Sequence, residues 1–372
     1  MFMAKKRSPS GFIDWGDDAD AKQITADEFS IEATLKSIPN PYVGNKRSII
    51  PNISAALRNE GVEYRSVLDL FAGSGAVSLF MKLMGKRVIS NDLLTSSYYN
   101  SLVFVANQSI GISLEDIKFL RSHDNTEKTD FVRKNYADRF TPEEAEFLDN
   151  FRANIDTLAA AKYAALKNRE IFRGACFIMI EHYIMDRCFI GGRLNKGQIL
   201  AELEHRISHQ RNKGKEMRFA LKAPRLFSGH ETCTAYNLDA LELVTKSDVI
   251  TDLLYIDPPY GGQQSNYAEM FSFCEEYVYG AKLDALPHIV HANKFVSKKD
   301  YKEHFTELLS RAGRFPVWAI SYNNSSWANE TELEEILKGF NRQVKVISID
   351  YEYKYRAKEN RSESTEFLFI AK

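Results

Sequence analysis

The chain has 372 residues, 44% of them hydrophobic, and a formal net charge of −1. This length fits one large domain with an insertion, or two domains, and the hydrophobic content excludes a globally disordered chain. The charge balance excludes an overall basic surface, so any surface for a nucleic acid must be local.

Membrane, secretion and metal signals are missing from the sequence. No apolar run reaches the length of a membrane span, and the basic N-terminus is not followed by a signal-peptide core. Cys176, Cys188, Cys233 and Cys274 lack C-x-x-C spacing, so we expect no zinc or other metal and no disulfide framework. This cysteine usage fits a reducing cytoplasm.

The N-terminal region divides into a polar tail and a loop. Residues 1–30 are polar and mixed in charge, and we expect them to form a disordered tail. The prolines and the glycine of residues 39–51 predict a loop. Lys46 and Arg47 would suit an anion or the end of a nucleotide, and a solvated basic loop is an equally good interpretation.

At residues 66–80 an apolar strand runs into a glycine-rich turn and then a helix. Gly73 and Gly75 would let a ligand approach the backbone, and the start of the helix offers free N–H groups. The spacing matches neither G-x-G-x-x-G nor G-x-x-x-x-G-K-[ST], which disfavours a phosphate cradle. Asp69, at the strand end, would instead face a cationic or hydroxyl-rich ligand.

A second strand, at residues 87–90, ends in Asn91-Asp92. An acid after the second strand of such a unit can accept hydrogen bonds from both ribose hydroxyls. Asp92 could equally cap the helix that follows, and the sequence leaves that alternative open. Two strand-end acids, Asp69 and Asp92, form a sharper signal than either acid alone.

Residues 110–225 break the alternation of strands and helices. Thr141, Pro142 and two acids predict a helix start, and residues 145–166 have a helical pattern. Residues 205–225 contain seven Lys or Arg against one acid. This density matches a phosphate-contact surface, although a solvated helix face is the simpler alternative. The seven are Arg206, Arg211, Lys213, Lys215, Arg218, Lys222 and Arg225.

The strongest motif is Asp257-Pro258-Pro259-Tyr260, which follows the apolar run at residues 253–256. The run fits a buried parallel strand, and the prolines end it because they donate no ladder hydrogen bonds. The strand end therefore presents a carboxylate, a carbonyl of fixed direction and an aromatic ring, where ligands of open α/β sheets bind. A plain strand-terminating turn is the alternative.

The remaining elements complete a sheet. Asp239 is a further candidate strand-end acid before a short helix, and residues 317–324 predict another strand. Residues 344–349 and 366–370 predict two final strands, which suit an antiparallel hairpin at a sheet edge.

These blocks resemble, in order, those of the adenine-N6 DNA methyltransferases of the Dam-like type, the D12 or α group. Tyr42 and Asn45 depart from this pattern, which has Trp and a second Gly at those places. The similarity covers residues 39–107 and 234–372. The matching blocks are residues 41–46, 69–75, 91–92 and 257–260, together with the C-terminal hairpin at residues 363–370.

The resemblance implies an α/β, Rossmann-like S-adenosylmethionine-dependent methyltransferase fold with a mixed sheet. Residues 31–109 and 226–372 would form the catalytic domain. Residues 110–225 would form an inserted, mostly helical target-recognition domain.

The resemblance also implies site residues. The catalytic residues would be Asp257, Pro258 and Tyr260. Asp257 and the carbonyl of Pro258 would accept hydrogen bonds from adenine N6, and Tyr260 would stack on the base once it is swung out of the duplex. S-adenosyl-L-methionine would be bound by Tyr42, Lys46, Asp69, Phe71, Gly73, Gly75, Asp92, Asp239 and Asp257. DNA would be contacted by Tyr267, Arg193, Lys196, Arg206, Arg211, Lys213, Lys215 and Arg218.

Two other functions remain open on the sequence alone. One is a methyltransferase of the same fold that acts on RNA adenine or on cytosine N4, and the other is a non-catalytic nucleic-acid-binding module. Cytosine C5 chemistry is disfavoured, because the Pro-Cys dipeptide that would supply a nucleophile does not occur. The expected partners are double-stranded DNA and a restriction endonuclease of the same specificity. The expected location is the cytoplasm of a prokaryotic or phage-infected cell.

Overall fold

The computed structural model describes residues 46–123, 129–193, 221, 223–229, 231–259, 266–286, 289, 293–295, 297, 300–323, 327–351 and 364–372. Within these ranges, the side chains of residues 182, 183, 185–193, 293, 350, 351 and 364 are not described. The predicted tail at residues 1–30 lies outside the described residues.

A seven-stranded sheet organises the chain, in the order β3-β2-β1-β4-β5-β7-β6. Strands β1 to β5 pair in parallel, and β7 pairs antiparallel with both β5 and β6. The strands are β1 Ser66–Asp69, β2 Arg87–Asn91, β3 Thr234–Tyr236, β4 Leu253–Ile256, β5 Val317–Asn323, β6 Val344–Tyr351 and β7 Ser364–Ala371.

The mixed sheet with its C-terminal antiparallel hairpin confirms the predicted α/β class, whereas the inserted target-recognition domain stays a prediction. β6 lies at the edge, and β7 lies inside the sheet between β5 and β6. β1 and β4 are buried along their whole length, as expected for apolar strands covered on both faces.

Helices cover both faces of the sheet and form two hydrophobic clusters. The helices are α1 Ile50–Asn59, α2 Ala76–Leu83, α3 Thr95–Ser101, α4 Leu114–Leu120, α5 Phe131–Asn135, α6 Pro142–Lys162, α7 Leu166–Arg193, α8 Ala240–Thr245, α9 Tyr267–Met270, α10 Ser272–Tyr279, α11 Tyr301–Arg311 and α12 Glu330–Lys338. A π-helix, Leu102–Ala106, follows α3, and 3₁₀ turns lie at Leu283–Ala285 and Asn293–Phe295.

The alternation of each strand sorts its side chains between these clusters. Leu253 and Tyr255 of β4 face the cluster that includes α1 to α3, whereas Leu254 and Ile256 face α8, α11 and α12. The same alternation decides to which face of the sheet each polar residue at a strand end points.

The helices between β2 and β3 include α4 to α7. Capping boxes start α4 at Ser113 and α6 at Thr141, where each N-cap and the third helical residue exchange hydrogen bonds. Their buried residues belong to the same hydrophobic cluster as the face of the sheet. The boundaries 31–109, 110–225 and 226–372 stay a prediction. No helix in the part of the chain that the structure describes is long and apolar enough to cross a bilayer.

Candidate active site

Three predicted carboxylates meet at the carboxyl ends of adjacent strands. Asp69 ends β1, Asp92 follows β2, and Asp257 follows β4, which pairs with β1. The charges of Asp257 and Asp92 both raise the pKa of Asp69, so both lie within electrostatic reach of it. The sheet thus brings together strand ends that are far apart in sequence.

Asp69 is buried with one oxygen satisfied by protein. Ser78 Oγ donates to its Oδ2 at 2.7 Å, and Ser90 Oγ donates to Ser78 Oγ at 2.6 Å. The other oxygen, Oδ1, is buried without a hydrogen-bond partner among the described residues. Burial raises the pKa of Asp69 to about 7, and the bond from Ser78 opposes that rise. A buried acceptor of this kind is suited to a donor supplied by a ligand.

The turn between β1 and α2 depends on glycine. Gly73 and Gly75 have φ of 52° and 73°, a left-handed region in which side-chain-bearing residues are strained. Gly73 N donates to Asp92 Oδ2 at 2.8 Å. Phe71, in the same turn, packs edge-on against Phe295, with ring centroids 5.4 Å apart.

Asp92 ties two strand-end loops together. Its Oδ1 accepts from Leu94 N at 2.9 Å, while its Oδ2 accepts from Gly73 N. Burial raises the pKa of Asp92 to about 7 against these hydrogen bonds. Asp92 is not the N-cap of α3, because that helix begins at Thr95 after Leu94.

Asp239 and Asn237 complete this side of the rim. Asp239 is the N-cap of α8, and its Oδ1 accepts from Leu241 N at 2.9 Å. Asn237 donates to the carbonyls of Asp92 and Leu93 at 2.9 and 2.8 Å. The predicted cofactor residue Asp239 therefore also has a helix-capping role.

At the end of β4, Asp257 is joined to a buried cation. Lys46 Nζ lies 3.1 Å from Asp257 Oδ1 and 2.9 Å from Glu366 Oε1. Ser321 Oγ donates to the same Glu366 oxygen at 2.7 Å. Burial opposes the charge of Lys46, but Asp257 and Glu366 hold its pKa well above its ordinary value.

Sequence reasoning did not single out Glu366, Ser321 or Glu275. Glu275 of α10 accepts hydrogen bonds from Thr95 N at 3.0 Å and Ser96 N at 2.7 Å, and so caps α3 from another helix. The only sequence signal for Glu366 is a charged residue that begins an otherwise apolar strand. Nothing local pairs it with Lys46.

The remaining predicted residues are less completely described. Tyr267 begins α9 and stacks on Phe271, with ring centroids 6.3 Å apart and planes 8° apart. Pro258 is buried directly after Asp257. Arg193 ends α7, and its side chain is not described. Tyr42, Tyr260, Lys196, Arg206, Arg211, Lys213, Lys215 and Arg218 lie outside the described residues.

The sheet order and the strand-end site define an α/β protein with a ligand site at the carboxyl ends of its parallel strands. A family model, D12 class N6 adenine-specific DNA methyltransferase, matches residues 42–322. Because this match spans most of the chain, the chain belongs to that family. It is an adenine-specific DNA methyltransferase, which confirms the predicted family and activity over the RNA, cytosine and non-catalytic alternatives.

Curated relatives agree with the family match. Type II methyltransferase M2.HphI of Haemophilus parahaemolyticus is 30% identical over 344 residues, which cover 88% of this chain and 96% of the relative. Type II methyltransferase M.NlaIII of Neisseria lactamica is 24% identical, with coverage of 88% and 96%. M.FokI of Planomicrobium okeanokoites is 29% identical, but the chain spans only 52% of its length.

Proposed function

We propose that this enzyme uses S-adenosyl-L-methionine to methylate N6 of an adenine swung out of double-stranded DNA, with Asp257 as the catalytic carboxylate. The observation that carries the proposal is the position of Asp257 and Pro258 at the end of β4, beside Asp69 at the end of β1. The enzyme class itself follows from the family.

The described residues fit the cofactor. Asp69 Oδ1 is a buried acceptor that lacks a donor among them, and the ammonium of a methionine moiety would supply one. Gly73 keeps its backbone free of a side chain, so a ligand can approach it closely. A Cβ at Gly75 would instead meet the backbone of Asn100 and Ser101 at 3.6 Å, so that glycine serves the packing of the turn on α3. The bound cofactor supplies an electrophilic methyl group on a cationic sulfur.

The protein residues would make adenine N6 a better nucleophile. The lone pair of N6 is delocalised into the ring, and this limits its reactivity. Asp257 and the carbonyl of Pro258 would accept hydrogen bonds from the two N6 protons and concentrate electron density on nitrogen. Asp257 can then receive the proton that N6 loses as it gains the methyl group. Fixed acceptors of this kind act through positioning and electrostatics.

Substitutions at Asp257 test this role. Asp257→Ala and the isosteric Asp257→Asn should lower the single-turnover methylation rate by about 10²-fold or more. Alanine removes the acceptor aimed at developing charge, and asparagine keeps an acceptor oxygen but has no negative charge and cannot take the proton. Cofactor affinity, measured by calorimetry, should change far less. A near-normal rate in either variant would remove Asp257 from the catalytic role.

The nucleic-acid form is tested with labelled cofactor and three separate pools. Methyl transfer to double-stranded DNA, above single-stranded DNA and RNA, is the expected result. We propose the basic residues Arg206, Arg211, Lys213, Lys215 and Arg218, with Arg193, Lys196 and Tyr267, as the DNA-contacting set. Preferred transfer to RNA would overturn the duplex assignment.

The Type II names of the relatives support a partner. We propose that a restriction endonuclease of the same specificity accompanies this enzyme in the cytoplasm of a prokaryotic or phage-infected cell. Mapping of N6-methyladenine in the host genome would supply the site. The methylated DNA should then resist an endonuclease prepared from the same cells.

A further inference from the structure

A buried ammonium group, that of Lys46, lies between Asp257 at the end of β4 and Glu366 of β7. Lys46 comes from the segment before α1, and its Nζ contacts Asp257 Oδ1 at 3.1 Å and Glu366 Oε1 at 2.9 Å. The side chains of Lys46 and Glu366 are 5% and 6% exposed, so water does little to screen this cluster. The resemblance placed Lys46 at the cofactor instead.

We propose that Lys46, anchored by Glu366 of β7, is a positioning residue that keeps the carboxylate of Asp257 ionised and correctly oriented toward the reacting amine. The C-terminal antiparallel strand thereby contributes to the active site. This inference rests on the proposed catalytic role of Asp257.

Strand alternation explains how Glu366 reaches the site. Glu366, Leu368 and Ile370 lie on one face of β7, and Leu368 and Ile370 pack in the same cluster as Tyr255 of β4. Glu366 pairs in register with Asn323, two residues beyond Ser321, so Ser321 Oγ can donate to it at 2.7 Å. β4 and β7 are about 10 Å apart, because β5 lies between them. The ammonium of Lys46 lies between Asp257, which follows β4, and Glu366 of β7, and contacts both side chains.

The charges around Asp257 explain why a cation is needed. Among the described residues, the groups that interact with Asp257 or with its ion-pair partner include Lys46, Glu366 of β7, Asp69 of β1, Tyr255 of β4 and Tyr301 of α11. Two of these are carboxyl groups, and negative charge on either favours protonation of Asp257. Lys46 is the cation among these groups, and it opposes them.

Protonation of Asp257 would stop the proposed chemistry. A neutral carboxyl group is a weaker acceptor, and it cannot take the proton released from N6. Lys46 remains charged at every working pH because Asp257 and Glu366 hold its pKa well above the ordinary value despite burial. The cation therefore acts on the ionisation of Asp257 without titrating itself.

The decisive measurement is the pH dependence of the single-turnover rate at saturating cofactor. Lys46→Met should shift the acidic limb to higher pH by about one unit or more, so that activity recovers in alkaline solution. Lys46→Arg keeps the charge and should shift the limb far less. If Lys46→Met does not fold, Lys46→Gln, which keeps a donor and lacks the charge, replaces it.

A second test uses Glu366, because its removal should have opposite effects on activity in the wild-type and Lys46→Met backgrounds. In the wild-type background Glu366→Leu should lower the rate, because Lys46 loses its anchor. In the Lys46→Met background the same change should move the acidic limb back toward lower pH, because Glu366 then only repels negative charge on Asp257. A residue with a purely structural role would instead give additive losses and no shift.

The control variant is Lys162→Met. It breaks the ion pair between Lys162 and Asp116, whose N–O distance is 2.6 Å, on helices α6 and α4, which carry none of the predicted site residues. Its acidic limb should coincide with that of the wild type. Cofactor affinity of every variant is measured in parallel.

Two outcomes would overturn the inference. One is a Lys46→Met rate that is reduced by the same factor at every pH. The other is a large loss of cofactor affinity with the acidic limb unmoved, which would return Lys46 to the cofactor. Full activity of Asp257→Asn would instead overturn the proposed function, so the two failures are distinguishable.

Discussion

At the residue scale, burial raises the pKa of several carboxyl groups of this protein. Asp69, Asp92 and Glu181 all have pKa values raised by burial, to about 7, 7 and 8. Asp69 and Asp92 face the candidate site, whereas Glu181 lies on α7 beside Asn100 and has one oxygen without a hydrogen-bond partner among the described residues. Glu181 is therefore suited to a test of stability that leaves the site intact.

Glu181→Gln should flatten the pH dependence of stability. The pKa of Glu181 is about 8 in the folded state and about 4.5 ordinarily, so the folded protein retains a proton that the unfolded chain releases between these values. The group's contribution is fully present below about 4.5 and is lost as the pH rises through about 8. Glutamine removes this loss, which amounts to a few kcal/mol at most, at about 1.4 kcal/mol per pKa unit.

Urea unfolding at about pH 5 and pH 8 measures the effect, since most of the loss of stability falls between these two values. The advantage of Glu181→Gln over the wild type should be larger at the higher pH than at the lower one. Glu303→Gln, at an exposed position of α11, is the control and should follow the wild type. Equal differences at both pH values would contradict the assignment.

At the scale of elements, the connection after β2 is an α-helix that widens into a π-helix. Asn107 N donates to Leu102 O across five residues, and Leu102 to Val105 are buried. Lys82 of α2 donates to the carbonyls of Val105, Phe104 and Asn107 at 2.7, 3.3 and 3.4 Å. Burial lowers the pKa of Lys82 to about 8. A lysine from a neighbouring helix thus satisfies the end of the π-helix.

Lys82→Met should destabilise the protein by about 1–3 kcal/mol, because methionine keeps the apolar stem but leaves buried carbonyls without a donor. The free energy of unfolding is measured with denaturant, and Lys118→Met, on the exposed face of α4, should change it little. Equal stability of the two variants would show that Lys82 does not satisfy these carbonyls.

At the scale of the whole molecule, the helices from α4 through α7 share one hydrophobic cluster with a face of the sheet. The basic run at residues 205–225 lies in the same interval between β2 and β3 as these helices, and we expect it to bind DNA phosphates. Neutral substitution of Arg211, Lys213 and Lys215 together should weaken DNA binding and reduce its salt dependence. The slope of log affinity against log salt should fall by up to about 0.9 for each phosphate that the variant no longer neutralises.

The control for that experiment removes the same number of charges elsewhere. Lys302, Lys338 and Lys345 are exposed on α11, α12 and β6, outside the basic run. Their neutral substitution should leave the slope close to that of the wild type. An unchanged slope for the first set would exclude these three basic residues from the DNA interface.

Much of the fold could be predicted because its signals are local. Leu253–Ile256 was predicted residue for residue as a strand, since an apolar run is closed by two prolines. The antiparallel pairing of the last two strands was also predicted, but the sequence did not place β7 inside the sheet. Helix boundaries were less sharply defined: residues 145–166 have one continuous helical pattern, whereas α6 ends at Lys162 and α7 begins at Leu166.

The sequence by itself determined the strand-end acids Asp69, Asp92 and Asp257 and the glycine turn, because each follows from residues adjacent to it. Only the tertiary structure decided that Lys46 bridges Asp257 and Glu366. That cluster joins the N-terminal and C-terminal parts of the chain, and it exists because β7 pairs beside β5. Charge pairs between distant segments depend on strand order, and no local pattern of residues encodes that order.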